Sequence, residues 1–136
     1  MQKRIIDIDY QDTLDGPKGK LLADFMAATL KHGHDVRIAS FGMVPRREKL
    51  IEIYGSFMAS VLVVSKNTLI EGYAQTGAMM HDILVDDNPV VREDEAGFKD
   101  FCNRWVHPES ATLIEELQDI ARTELGFEWK PQVLEC

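Results

Sequence analysis

Short apolar runs alternate with segments of helical spacing along almost the whole chain. Residues 3–9, 36–40, 60–65, 83–86 and 104–106 are predicted strands, and residues 21–32, 46–54, 67–77, 93–102 and 110–125 are predicted helices. This alternation favours a three-layer α/β/α sandwich around a central, mostly parallel five-stranded sheet. The run at 60–65 is continuous and β-branched, which predicts a strand buried on both faces.

The length and charge of the chain limit the kinds of protein it can be. A chain of 136 residues predicts one domain over 1–136, in which residues 127–136 form a C-terminal tail that either packs against the domain or extends freely. No run of about 18 apolar residues is present, so no membrane span is expected. The two cysteines make neither a metal motif nor a disulfide framework, which favours a reducing cytoplasm. A net charge of −8 argues against general nucleic-acid binding.

Two acid pairs end two of the predicted strands. Asp7 and Asp9 lie two residues apart, so both carboxylates are on one side of the first strand. Asp86 and Asp87 end the fourth strand. If these strands are parallel neighbours, all four carboxylates meet at one edge of the sheet, where their repulsion calls for a cation. An oxygen-only cluster suits Mg²⁺.

A hydroxyl and a lysine follow two other strands: Ser40 ends the second and Lys66 follows the third. Ligands of open α/β sheets bind at these carboxyl ends. The ordered set of acid pair, hydroxyl, lysine and acid pair over residues 3–90 resembles the haloacid dehalogenase superfamily, most of whose members are Mg²⁺-dependent phosphatases. The resemblance implies the same α/β/α sandwich with Mg²⁺ as its cofactor. It also implies a phosphohydrolase that works through an aspartyl-phosphate.

The resemblance also implies a role for each residue of the set. Asp7 is the expected nucleophile, and Asp9 the acid that protonates the leaving group and later activates water. Ser40 is expected to hydrogen-bond a phosphoryl oxygen, and Lys66 to neutralise phosphoryl charge and hold the nucleophile's carboxylate. The expected metal ligands are Asp7, Asp9 (through its backbone carbonyl), Asp86 and Asp87.

The family pattern Asp-x-Asp-x-Thr fits this chain in two ways. In the first reading the acids are Asp7 and Asp9, and Gln11 stands in place of threonine. In the second reading the pattern starts at Asp9, so Thr13 fits but Gln11 replaces the second acid. The first reading is favoured, because the second leaves Asp7 one pleat deeper, where an unpaired carboxylate is costly to bury. The second reading predicts weak or absent phosphatase activity, or displacement chemistry that needs no acid.

The connections around the predicted site are short. Between residues 14 and 40, and between 66 and 82, there is room for little more than one helix. Members of the superfamily that the chain resembles insert cap domains at these two points, so the resemblance implies that this chain lacks a cap. An uncapped site excludes water poorly by itself, and suits a large, even macromolecular, phosphorylated substrate or an oligomer partner that closes it. Arg46 and Arg47 follow the second strand and are expected to grip a substrate phosphate or acidic group.

Two other functions use similar residues. A catalytically degenerate member of the superfamily would bind a phosphorylated ligand or partner without turnover. Response-regulator receiver domains also combine acids, a hydroxyl and a lysine, but their phosphoacceptor follows the third strand, where this chain has Ser65 and Lys66.

Overall fold

The computed structural model describes residues 2–42, 45–76, 81–89 and 102–132, except the side chains of residues 73 and 74. Its strands are β1 (Ile5–Asp9), β2 (Asp35–Ser40), β3 (Leu62–Ser65), β4 (Ile83–Val85) and β5 (Arg104–Val106). Its helices are α1 (Gly19–Lys31), α2 (Arg47–Tyr54), α3 (Lys66–Thr76) and α4 (Leu113–Ile120). The strands form one sheet in the order β3-β2-β1-β4-β5, and every neighbouring pair is parallel. The predicted α/β sandwich with a central five-stranded sheet is confirmed, and this sheet is wholly parallel.

The order of the strands places a crevice beside β1. After β1 the strands β2 and β3 are added on one side of it, and the chain then crosses to the other side of β1, where β4 and β5 are added. Ligands of such sheets bind where the direction of building reverses, here between the carboxyl ends of β1 and β4. Ile8 pairs with Val85 in the sheet, so the next residues, Asp9 at the end of β1 and Asp86 just after β4, lie at the same level.

One prediction about the sheet is wrong. The run at 60–65 was expected to be a strand buried on both faces, but β3 is an edge strand with a single neighbour, β2. Leu62 is 57% exposed, and residues 63–65 are only half-buried. An apolar β-branched run indicates a strand, but its place in the sheet depends on how the rest of the chain packs.

The core is built around β1 and α1. Ile6 and Ile8 are fully buried, and α1 buries Phe25 and Met26 completely. Trp129 packs edge-on against the Phe25 ring at a centroid distance of 5.1 Å, and the Gln132 N–H donates to Asp24 Oδ2 at 2.6 Å, so the C-terminal segment is attached to the domain as far as residue 132. Residues 133–136 of the predicted tail lie outside the described residues.

Several predicted boundaries move by a few residues. Helix α3 begins at Lys66, because the Ser65 hydroxyl accepts the Asn67 N–H at 3.2 Å and caps the helix. The predicted helix at 110–125 is the shorter α4, continued by a wider helical turn at Ala121–Leu125 and ended by Gly126. The predicted helix at 93–102 lies outside the described residues apart from Cys102.

None of the helices in the described ranges combines the length and apolar character needed to cross a bilayer.

A wide turn follows β1 immediately and shapes the crevice. It covers Tyr10–Leu14 and is closed by a hydrogen bond from the Asp15 N–H to the Tyr10 carbonyl at 3.0 Å. The Tyr54 hydroxyl donates to the Leu14 carbonyl at 2.7 Å and ties the turn to α2. This turn brings Thr13 back beside the end of β1, where it is buried.

Candidate functional site

Three carboxylates and one ammonium meet between the carboxyl ends of β1 and β4. Lys66 Nζ lies 2.9 Å from Asp9 Oδ1 and 2.7 Å from Asp86 Oδ2. Asp9 is 6% exposed, Lys66 3% and Asp86 1%, so these charges are almost fully removed from water. Carboxylate oxygens of Asp9, Asp86 and Asp87 lie within 4.8 Å of one another. The predicted convergence of two separate acid-bearing strands is therefore present, with Asp7 as the exception.

Thr13 connects the two acidic segments. Its Oγ1 lies 3.1 Å from Asp9 Oδ2 and 3.2 Å from Asp87 Oδ1, and it accepts the Asp87 backbone N–H at 3.3 Å. A threonine hydroxyl has one proton, so it donates to one carboxylate at a time. Because Thr13 is 1% exposed, this contact positions the two carboxylates without help from solvent.

Both the carboxylate and the backbone of Asp86 are fixed by hydrogen bonds. The Asn88 N–H donates to its Oδ1 at 3.0 Å, while Lys66 occupies Oδ2. Its backbone carbonyl accepts the indole N–H of Trp105 at 2.9 Å, and its N–H donates to the Val106 carbonyl at 3.1 Å. The edge strand β5 therefore fixes the loop that carries Asp86 and Asp87.

The burial of these charges changes their affinity for protons. Burial, together with the neighbouring Asp86 carboxylate, raises the pKa of Asp9 to about 7, against the opposing pull of Lys66. Burial by itself lowers the pKa of Lys66, but the Asp86 and Asp9 carboxylates outweigh it, and the net pKa lies above its usual value. One ammonium against three carboxylates leaves a negative site when all are ionised, which favours a cation.

A cavity of about 200 Å³ opens onto the cluster. It is lined by Asp9, Gln11, Asp12, Phe41, Lys66, Asp87 and Asn88. Larger clefts of about 460 and 400 Å³ flank α1, but neither is lined by the acid cluster. The smaller cavity is the candidate site, because it alone among these three brings together buried groups of opposite charge.

The structure places Asp7 in a different environment. Its carboxylate is fully buried and accepts two hydrogen bonds from Arg37, from Nε at 2.7 Å and from Nη2 at 2.8 Å. His81 Nδ1 lies 2.7 Å from the same carboxylate. Asp7 is the direct neighbour of Arg37 across β1 and β2, one pleat below Asp9. It is therefore part of a buried ion pair and not of the acid cluster.

This placement corrects the expectation that Asp7 joins the metal ligands. The second reading is disfavoured only if the deeper Asp7 lacks a partner, and Arg37 supplies one. The signal was present in the sequence, since Arg37 interrupts an otherwise apolar strand, and a charge there calls for a partner. His81 lies two residues before β4, and no sequence pattern predicted its contact with Asp7.

The remaining predicted residues lie around or away from the cavity. Ser40 is buried at the end of β2, next to the cavity-lining Phe41. Arg47 donates to the carbonyls of Met58 and Val61 at 2.7 and 2.6 Å, which fixes the turn before β3. The Arg46 side chain is 84% exposed and lies 3.9 Å from Glu48. Neither arginine lines the described cavity, so the structure does not bring them to the site.

Comparisons with known proteins identify no relative: no protein-family model, no curated protein and no solved structure matches this chain.

Proposed function

We propose that the chain is a Mg²⁺-dependent phosphohydrolase that works through an aspartyl-phosphate on Asp9. The observation that carries the proposal is the buried contact of Lys66 with both Asp9 and Asp86 inside an acid cluster. This cluster lies at the reversal point of a parallel sheet, where α/β proteins bind ligands. A buried nucleophile, a fixed cation and a set of metal ligands are the parts that phosphoryl transfer needs.

The donor set fits Mg²⁺. Asp9, Asp86 and Asp87 offer only oxygen ligands, and these lie close enough together to share one ion. When bound there, Mg²⁺ would offset the negative charge between the attacking carboxylate and the phosphoryl group. The exposed side of the cavity, at Asn88 and Gln11, leaves room for the phosphoryl group and its leaving group.

The residues around the nucleophile each have a proposed role in this reaction. An Asp9 carboxylate oxygen attacks phosphorus, and Thr13 holds the other oxygen and so sets the direction of attack. Lys66 stabilises the charge that develops on the phosphoryl oxygens. Ser40 stays the proposed contact to a phosphoryl oxygen, from its place beside Phe41.

The contacts favour the second reading of the Asp-x-Asp-x-Thr pattern. In that reading Asp9 is the nucleophile and Thr13 the pattern's threonine, and these two side chains are in contact at 3.1 Å. Asp7, the nucleophile of the first reading, is already neutralised by Arg37. The resemblance to the haloacid dehalogenase superfamily is therefore proposed with Asp9 as its first motif residue.

A second candidate function follows from Gln11. In the second reading this residue stands where an acid is expected, and an amide cannot exchange a proton with a leaving group. A degenerate site of this kind would bind a phosphorylated ligand or partner and release it unchanged. The open cavity suits a large phosphorylated partner in either case.

The deciding experiment compares Asp9→Asn with the wild type. Turnover of an aryl phosphate is measured with and without Mg²⁺, and Mg²⁺ binding is measured by calorimetry. Asp35→Asn, at the exposed start of β2, is the matched control. Mg²⁺-dependent turnover that Asp9→Asn abolishes and Asp35→Asn retains supports the enzyme. Equal turnover in Asp9→Asn excludes Asp9 as the nucleophile, while phosphate binding without turnover favours the degenerate binder.

A further inference from the structure

One residue of the wide turn has an unusual backbone and lines the cavity. Asp12 is the one non-glycine residue with a positive φ, 57°, in the described parts of the chain. Aspartate tolerates this left-handed conformation better than most residues, but it is still uncommon. Asp12 shares the lining of the cavity with Asp9 and Lys66. Uncommon backbone conformations cluster at functional sites, so the side chain of Asp12, beside the candidate nucleophile, is a candidate functional group.

The turn holds Asp12 in this conformation from several directions. Its N–H donates to Asp15 Oδ1 at 2.6 Å. Gly16 packs so closely beneath it that an added Cβ would lie 2.9 Å from the Asp12 carbonyl oxygen. The position of Asp12 at the cavity is therefore fixed by the fold, although its side chain is exposed.

The second reading of the motif lacks a proton donor, and Asp12 offers a carboxyl group on the lining of the same cavity. Gln11 lines the cavity but cannot give and take back a proton. Asp87 belongs to the proposed metal ligands, and Asn88 is an amide. Asp12 is thus the one carboxylate on the described cavity wall that lies outside the acid cluster.

We infer that Asp12 is the catalytic proton-transfer residue of this site, in place of an acid at position 11. The inference rests on the proposed function. In the first step Asp9 bonds to phosphorus, the bond from phosphorus to the leaving oxygen breaks, and Asp12 gives that oxygen its proton. In the second step Asp12 takes a proton from water, the water oxygen bonds to phosphorus, and the bond to Asp9 breaks. The products are an alcohol and inorganic phosphate.

The role of Asp12 makes the effect of its removal depend on the leaving group. An alkyl phosphate must release an alcohol, which needs a proton, whereas acetyl phosphate releases acetate, which does not. Asp12→Asn should lower phosphorylation of Asp9 by glycerol phosphate at least about 100-fold. Phosphorylation by acetyl phosphate should stay near the wild-type rate, and the phosphorylated protein should accumulate because water is no longer activated. Intact-protein mass spectrometry measures the rate of phosphorylation by each donor and the accumulation of the phosphorylated protein.

Asp12→Gly separates the carboxylate from the backbone. Glycine adopts a positive φ without strain, so this variant keeps the turn and should show the same leaving-group dependence as Asp12→Asn. Asp35→Asn should behave as wild type with both donors. Equal losses with the two donors, or wild-type hydrolysis of glycerol phosphate by Asp12→Asn, would overturn the inference. If the wild-type protein with Mg²⁺ present neither hydrolyses either donor nor becomes phosphorylated by one, the proposed function fails and this inference with it.

Discussion

Asp7 and Asp9 lie on the same strand, yet their replacement by asparagine should change stability in opposite directions. Asp7 is fully buried and accepts two hydrogen bonds from Arg37 and a contact from His81. Removing one partner of a buried ion pair costs about 3–5 kcal/mol. The Arg37 side chain is 17% exposed and can recover some hydration, so we expect Asp7→Asn to lose about 3 kcal/mol.

Asp9 should behave in the opposite way above neutral pH. Its pKa rises from 3.8 to about 7 on folding, so the folded state binds the proton more tightly than the unfolded state. The stability that this proton contributes is fully present below about pH 4 and is lost as pH rises through about 7. A shift of this size corresponds to at most about 4 kcal/mol at pH 8. Asparagine cannot ionise, and Lys66 keeps its contact with Asp86, so Asp9→Asn should be the more stable protein at pH 8.

The assay is urea denaturation in Mg²⁺-free buffer at pH 5 and pH 8. Asp7→Asn should be destabilised at both values, whereas Asp9→Asn should gain stability over wild type only as pH rises. Asp35→Asn controls for the loss of one surface charge. Asp9 is assigned to the acid cluster and Asp7 to a structural ion pair. This assignment would be refuted if Asp9→Asn were less stable than wild type at pH 8, or if Asp7→Asn were as stable as wild type.

Three further predictions concern the cavity. Mg²⁺ should raise the thermal midpoint more at pH 8 than at pH 6, because the raised pKa of Asp9 makes protons compete with the ion; an equal rise at both values would contradict this. Thr13→Val should weaken Mg²⁺ binding in calorimetry and cost about 1–3 kcal/mol in denaturation, since Asp9 and Asp87 lose a buried hydroxyl; unchanged affinity would show that Thr13 does not position them. Gln11→Asp in the Asp12→Asn background should restore hydrolysis of glycerol phosphate. A double variant that stays inactive would argue against proton transfer by a carboxylate at this part of the cavity lining.

The order of strands and helices could be predicted because each element carries its own local signal. The apolar runs gave five strands, and glycine stops at Gly33, Gly55 and Gly126 all have a positive φ in the structure. The two acid-bearing strand ends were predicted to meet, and Asp9, Asp86 and Asp87 do. Lys66 was predicted from its place after the third strand, and it contacts two of these carboxylates.

The contacts of the candidate site that could not be predicted depend on how distant segments pack together. Thr13 reaches Asp9 and Asp87 only because the chain makes a wide turn after β1, and no composition signal distinguishes that turn from an ordinary loop. The positive φ of Asp12, which underlies its proposed role, is likewise a property of the folded turn.

The sequence by itself determined the α/β architecture and the kinds of charged groups at the strand ends, because hydrophobic periodicity and turn residues act within a few positions of the chain. Only the tertiary structure decided which aspartate joins the acid cluster. Asp7 and Asp9 are equivalent in their local sequence and differ in what lies across the sheet from each. Arg37 of β2 neutralises the first, while the second faces Lys66 and the acids that follow β4. A buried carboxylate is defined by its partners, and the charged partners of Asp7 and Asp9 come from segments 30 or more residues away.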